Sequence, residues 1–265
     1  MFSSLGRVAK LAAKWVREKG LELRYPYLRV LSMPEDRPSI RSIYFLANQL
    51  GRSSPVGLTH RPRVAYHELP FQELELITSR DDLAERIARI SRGFEFGGKF
   101  GLDIGSAVGG MSFALQQEGA QMLGVERDRP SLDLAQECEA YFQTGAVFSH
   151  SQFSVASLPE LLDIGANPLT NRFDFAIWMS SFNWVANDLE PEEMAELVSK
   201  LSSSVDVLFA DSAIGGKGSL AMQKIGIGSN DDFCKYVMNN SEYTKVVALG
   251  TDTGWYQRQV FRFEK

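Results

Sequence analysis

Asp103 and Glu126 bracket a glycine-rich turn in LDIGSAVGGMSFALQQEGAQMLGVERD, a spacing of carboxylates and glycines that suits ligand binding. Gly105, Gly109 and Gly110 follow Asp103. Glycines there let backbone approach a ligand closely, and the N-terminus of a following helix offers free N–H groups. Glu126 stands 21 residues beyond Gly105. A carboxylate ending the next strand at that distance can accept hydrogen bonds from both hydroxyls of a ribose. Two acids in one crevice repel a pyrophosphate but suit a cationic ligand that also carries a ribose. A dinucleotide fingerprint would place a glycine where this chain has Ala107.

The groups able to move a proton are few. The histidines are His60, His67 and His150, and Asp211 closes the apolar run VDVLFAD ahead of a glycine-rich loop. A general base within about 3 Å would help a hydroxyl acceptor lose its proton, whereas a phosphate or carboxylate acceptor has none to lose. His67 and Asp211 are the candidates. No Cys, His, Asp and Glu spacing typical of a metal site occurs, so metal-independent chemistry is expected.

These residues need a scaffold, and the hydrophobic pattern predicts one. From Lys99 onward, short apolar runs (FGLDIG, QMLGVE, AVFSH, FDFAIW, VDVLFAD) alternate with amphipathic stretches near MSFALQQEG, SLDLAQECEAYFQ, SLPELLDIG and PEEMAELVSKLSS. Alternation of that kind predicts a doubly wound α/β fold with a mostly parallel sheet. The last segments, YTKVVALG and WYQRQVFRFEK, are alternating runs joined by TDTG and read as an antiparallel hairpin completing seven strands. Upstream, SLGRVAKLAAKWVREKG, SIRSIYFLANQL and DDLAERIARISR read as helices, with Asp81 opening the last and Gly93 stopping it. The expected division is a helical, basic segment over residues 1–95 and a ligand-binding domain over residues 96–265.

The stretch LDIGSAVGGMSFALQQEGAQMLGVERD resembles the first two motifs of the class I S-adenosylmethionine-dependent methyltransferases, and the likeness runs to the hairpin that separates them from nucleotide dehydrogenases. The resemblance implies a Rossmann-like methyltransferase fold and S-adenosylmethionine as cofactor, whose sulfonium, ammonium and ribose match the charge pattern. It places Gly105, Ser106 and Gly109 along the methionine portion, Asp103 toward the ammonium group, Glu126 on the ribose, and Arg127 beside the adenine. Ser154 stands where many members carry an adenine-binding acid. The lead-in RDDLAERIARISRGFEFGGKFGLDIGS resembles bacterial methyltransferases of polysaccharide ends and small substrates, in which a tyrosine and an arginine close over the cofactor. Tyr66 and Arg86 are the candidates here, with Arg80 behind them. The loop WMSSFNWVAND is similar to one that borders the methyl group in such enzymes and in RNA 5'-phosphate-capping relatives. That likeness makes Ser180, Asn183 and Trp184 candidates at the methyl-transfer centre, with Asn183 among the catalytic ones.

Charge narrows the partner. Residues 1–67 carry 12 Lys/Arg against four Asp/Glu, a balance of +8, which leaves −13 for the rest of a chain of net charge −5. A basic segment on an acidic body points to an anionic small-molecule or glycan acceptor, with O-methylation favoured. The same segment leaves RNA as an alternative acceptor, and the amphipathic helix over residues 3–19 allows peripheral contact with a membrane surface. A cofactor-binding regulator without turnover is the reading from another class. Two separated cysteines, no membrane-spanning run and no secretory signal predict a cytoplasmic protein, at most peripheral at the inner membrane surface.

Overall fold

Five apolar runs become the parallel strands of one sheet, and all but the edge run VFSH are largely buried, as expected of strands covered on both faces. The computed structural model describes residues 42–43, 46–47, 64–74, 77–80, 82–212, 214, 219–251 and 258–265. Its main sheet contains β3 (Phe100–Ile104), β4 (Gln121–Glu126), β5 (Val147–His150), β6 (Phe173–Trp178), β7 (Val205–Asp211), β8 (Lys245–Thr251) and β9 (Gln259–Glu264). The spatial order is β5-β4-β3-β6-β7-β9-β8. β3 to β7 pair in parallel, and β9 runs antiparallel between β7 and β8. The strand order therefore reverses between β3 and β6, at the switch point where doubly wound sheets bind ligands.

The helices on the described chain are α1 (Leu83–Ile90), α2 (Gly110–Gln117), α3 (Arg129–Phe142), α4 (Leu158–Gly165), α5 (Phe182–Asp188), α6 (Pro191–Ser204), α7 (Ser219–Lys224) and α8 (Asn230–Asn239). Local chemistry sets several boundaries. Asp128 caps α3 by accepting from Ser131 N at 3.0 Å, with a proline in its first turn. Glu190 and Glu193 form a reciprocal capping box on α6, and Ser229 caps α8. Helix α1 begins at Leu83, two residues after the expected opening at Asp81. Its first N–H, on Leu83, donates to Glu68 Oε2 at 3.1 Å from another part of the chain.

Alternation along β3 and β6 divides the core in two. Leu102, Ile104, Ala176 and Trp178 face a cluster completed by Phe182, Leu197 and Phe233. Phe175 and Ile177 face the other side with Phe96, Met111, Met122 and Phe209. Asp103 shares this second face, under α1 and α2, because strand neighbours point to opposite sides. A third cluster joins Leu69, Phe71 and Leu74 to Val108, Phe113, Leu134 and Cys138, so the segment before α1 packs on α2 and α3.

The upstream segment, expected as helices joined by irregular stretches, also carries strands. β1 (Val64–His67) and β2 (Ile77–Arg80) form a separate two-stranded parallel sheet, in runs too short to show alternation. Helical turns occur at residues 42–43 and 46–47. The helix expected over residues 3–19 lies outside the described residues. FNWVAND, expected as loop, is α5, and α7 and α8 occupy a stretch in which no helix was expected. No helix among the described residues is long and apolar enough to cross a membrane.

Candidate functional site

Three residues of the turn after β3 adopt left-handed backbone: Gly105 at φ +73°, Ala107 at +50° and Gly109 at +84°. Such angles favour glycine. Packing within the protein adds a second demand. A Cβ on Gly105 would lie 2.5 Å from Ser181 Cβ, one on Gly109 2.7 Å from the Phe148 ring, and one on Gly110 2.4 Å from the Glu68 carbonyl oxygen. The glycines therefore let neighbouring loops close on the turn, in addition to freeing backbone for a ligand. Ser181 had no sequence signal of its own. Its hydroxyl donates to Ile104 O at 2.5 Å and ties the β6 loop to the end of β3.

Glu126 ends β4 at 9% exposure. Its Oε2 accepts from Ala107 N at 2.8 Å and its Oε1 from Asp128 N at 2.7 Å. Both oxygens are thereby oriented, and each keeps a lone pair for a further donor. The Ser106 hydroxyl beside it is buried without a hydrogen-bond partner among the described residues. A buried polar atom in that condition calls for a ligand or water. Asp103 lies below the turn and accepts from Ser112 Oγ at 2.7 Å. Burial raises its pKa to about 6, opposed by the Ser112 hydrogen bond and the nearby Arg86 charge.

A polar network continues across the sheet edge. Arg86, buried on α1, donates from Nη2 to Ser180 Oγ at 3.3 Å. Ser180 follows β6 in left-handed backbone, φ +66°. Its N–H donates to Asp211 Oδ1 at 2.8 Å and its hydroxyl to Oδ2 at 3.3 Å. Asp211 is fully buried at the end of β7, with Arg258 Nη1 at 3.6 Å from Oδ1. A carboxylate so engaged orients Ser180. Asn183 is buried in the first turn of α5, and its Oδ1 lacks a hydrogen-bond partner among the described residues. Trp184 beside it is 57% exposed, while Phe182 packs on Trp178 and Phe233 in the core.

Other expected residues stand apart from this line. Arg127 is largely exposed and paired with Asp188 at the end of α5, and exposed His150 contacts the Arg127 carbonyl through Nε2 at 3.0 Å. Ser154 is committed to its own turn, with N–H and hydroxyl both bonded to Ser157 Oγ at the start of α4. Tyr66 and His67 lie on β1, with His67 in register with Arg80 of β2, and their side chains fall outside the described residues, as does His60. Glu68, Ser112 and Arg258 are the further polar residues that sequence reasoning passed over. Their positions depend on contacts between distant segments.

No protein-family model matches the sequence, and no curated protein sequence matches it. Among solved structures, the bifunctional kinase-methyltransferase WbdD is similar with a TM-score of 0.57 at 16% identity, over 82% of this chain and 46% of that one. EvdMO1 gives 0.53 at 16% identity, over 84% and 47%. The magnesium protoporphyrin IX methyltransferase ChlM from Synechocystis PCC 6803, with bound SAH, gives 0.49 at 15% identity over 97% and 98%. This chain spans about half the length of the WbdD and EvdMO1 chains it matches. At such identities the likeness is one of architecture, and together with the strand order it shows that the chain has the Rossmann-like fold of the class I methyltransferases.

Proposed function

We propose that the chain is an S-adenosylmethionine-dependent methyltransferase that O-methylates an anionic small-molecule or glycan-like acceptor. The observation that carries the reading is Glu126, held by Ala107 N and Asp128 N beside the glycine turn and the Ser106 hydroxyl, which has no hydrogen-bond partner among the described residues. The residues present fit the cofactor. Glu126 would take the ribose hydroxyls, Ser106 and the turn the methionine end, and Arg86 its carboxylate. When bound, S-adenosylmethionine supplies a methyl group already activated by its sulfonium. The protein's part is then alignment and exclusion of water.

Ser180 and Asn183 stand at the β6 edge, next to the turn, where an acceptor would meet that methyl group. An oxyanion acceptor attacks with a lone pair on oxygen; the C–O bond forms as the C–S bond breaks, and the S–C electron pair stays on sulfur. No proton leaves, so Asp211, with both oxygens on Ser180, is not needed as a base. The kinase-methyltransferase likeness supports the donor side of this reading through the shared fold.

Calorimetric titration with S-adenosylmethionine, S-adenosylhomocysteine and NADH tests it directly. Micromolar binding of the two sulfur compounds, without NADH binding, is expected. Glu126→Ala should weaken that binding at least tenfold with an unchanged circular dichroism spectrum. NADH binding tighter than either sulfur compound, or full affinity in the variant, would overturn the assignment.

A further inference from the structure

Resting on the methyltransferase reading, we infer that the acceptor presents a sugar ring, laid against the Trp184 indole, with a hydroxyl of that ring bonded to the Asn183 amide. Trp184 is 57% exposed, whereas the other aromatic rings among the described residues are buried or half-buried. Its place matters more than its exposure. Ser181 fills the space that Gly105 leaves open, and its carbonyl accepts from Trp184 N at 3.0 Å and Val185 N at 3.1 Å. Trp184 therefore stands one helical turn on from Ser181, with Cβ atoms about 5–6 Å apart. Helical side chains lean toward the start of the helix, which tilts the indole back toward the glycine turn. Four residues on, Asp188 pairs with Arg127, the residue after Glu126. Trp184 is thus bracketed by residues that touch the two walls of the cofactor crevice.

Asn183, its neighbour, is buried, and its Oδ1 has no hydrogen-bond partner among the described residues. A buried polar atom in that state calls for a partner. The last torsion of an asparagine is soft, so the amide can turn and offer either its carbonyl or its NH2 group. An oxyanion satisfies only the NH2 group and an ammonium only the carbonyl. A hydroxyl donates and accepts, and so satisfies either.

A ligand that joins hydroxyls to an apolar C–H face is a sugar. The indole face is electron-rich and attracts the slightly positive C–H groups on one side of a pyranose, while hydroxyls at the ring edge reach Asn183. One turn on, exposed Asn187 and Asp188 offer oxygens to further hydroxyls. A nucleic-acid strand fits less well, because its successive phosphates would run past Asp188 and Glu190. The phosphate or carboxylate that takes the methyl is then a substituent of the sugar, on the Ser180 side of the ring.

The test uses the full chain and begins with S-adenosylhomocysteine affinity by calorimetry. Absence of that binding in the wild type overturns the methyltransferase reading and this inference with it. With binding intact, glucose 6-phosphate, mannose 6-phosphate, glucuronate and galacturonate are titrated into the loaded protein, beside glycerol phosphate as an oxyanion without a ring and AMP as a nucleotide. At least one sugar should bind tenfold or more tightly than glycerol phosphate and AMP, with saturation transfer to its ring C–H protons in NMR. Trp184→Ala should weaken that sugar at least tenfold and Trp184→Phe less, and Asn183→Ala should weaken it at least threefold. Each variant should keep S-adenosylhomocysteine affinity within twofold of wild type. No sugar tighter than glycerol phosphate, AMP tighter than every sugar, or wild-type sugar binding in Trp184→Ala would overturn the inference and leave the cofactor assignment standing. A tenfold loss of S-adenosylhomocysteine affinity in Trp184→Ala would also overturn it, by placing the indole against the cofactor.

Discussion

At the residue scale, the turn after β3 is specified twice, by backbone angle and by the absence of a side chain. Gly105 combines φ +73° with a Cβ position 2.5 Å from Ser181 Cβ. Gly105→Ala should therefore cost about 2–4 kcal/mol, measured by urea unfolding, since left-handed strain adds to a steric clash. Asp103 gives a pH signature. Its folded pKa of about 6 lies above the ordinary carboxyl value of 3.8, so the folded chain holds this proton more tightly than the unfolded chain. Stability from this group is greatest below the lower value, falls as pH rises between the two, and levels off above pH 7. The decline amounts to about 3 kcal/mol at most. Asp103→Asn removes the titration and keeps a partner for Ser112. The stability of the variant relative to wild type should rise between pH 4 and pH 7, as read by urea unfolding at both.

At the element scale, α5 shows how one short helix serves core and site together. Phe182 is fully buried against Trp178 and Phe233, Asn183 is buried with an Oδ1 that has no partner among the described residues, and Trp184 is mostly exposed. Phe182→Ala should cost about 3–5 kcal/mol. Trp184→Ala should stay within about 0.5 kcal/mol, because the ring is mostly in water. Thermal unfolding of both variants checks the contrast. Comparable losses would mean that the helix is oriented differently from the structure. The sequence of α5 carries two aromatics around an asparagine, a pattern that fits loop and helix alike over seven residues. Packing against α7 and the ends of β6 decides the matter.

At the scale of the whole molecule, the segment before α1 is fastened to the sheet domain rather than merely linked to it. The Phe71 ring stacks on Phe142 at 3.8 Å and meets Phe113 edge-on at 4.9 Å. Glu68 accepts the first N–H of α1 and packs its carbonyl over Gly110. Phe71→Ala should lower stability by about 3–4 kcal/mol and raise amide exchange over residues 64–74, measured by hydrogen exchange with mass spectrometry. The sequence by itself determined the alternating scaffold, the hairpin, the glycine turn and the two carboxylates. Those depend on periodicity and on spacing within one unit of strand, turn and helix, which short-range pattern encodes. Only the tertiary structure decided that Asp211 orients Ser180, that Ser181 fills the space above Gly105, that Ser154 belongs to its own turn, and that Arg86 reaches the Ser180 hydroxyl. Those partners are separated by up to 94 residues, as between Arg86 and Ser180, and strand order rather than sequence distance places them together at one edge of the sheet.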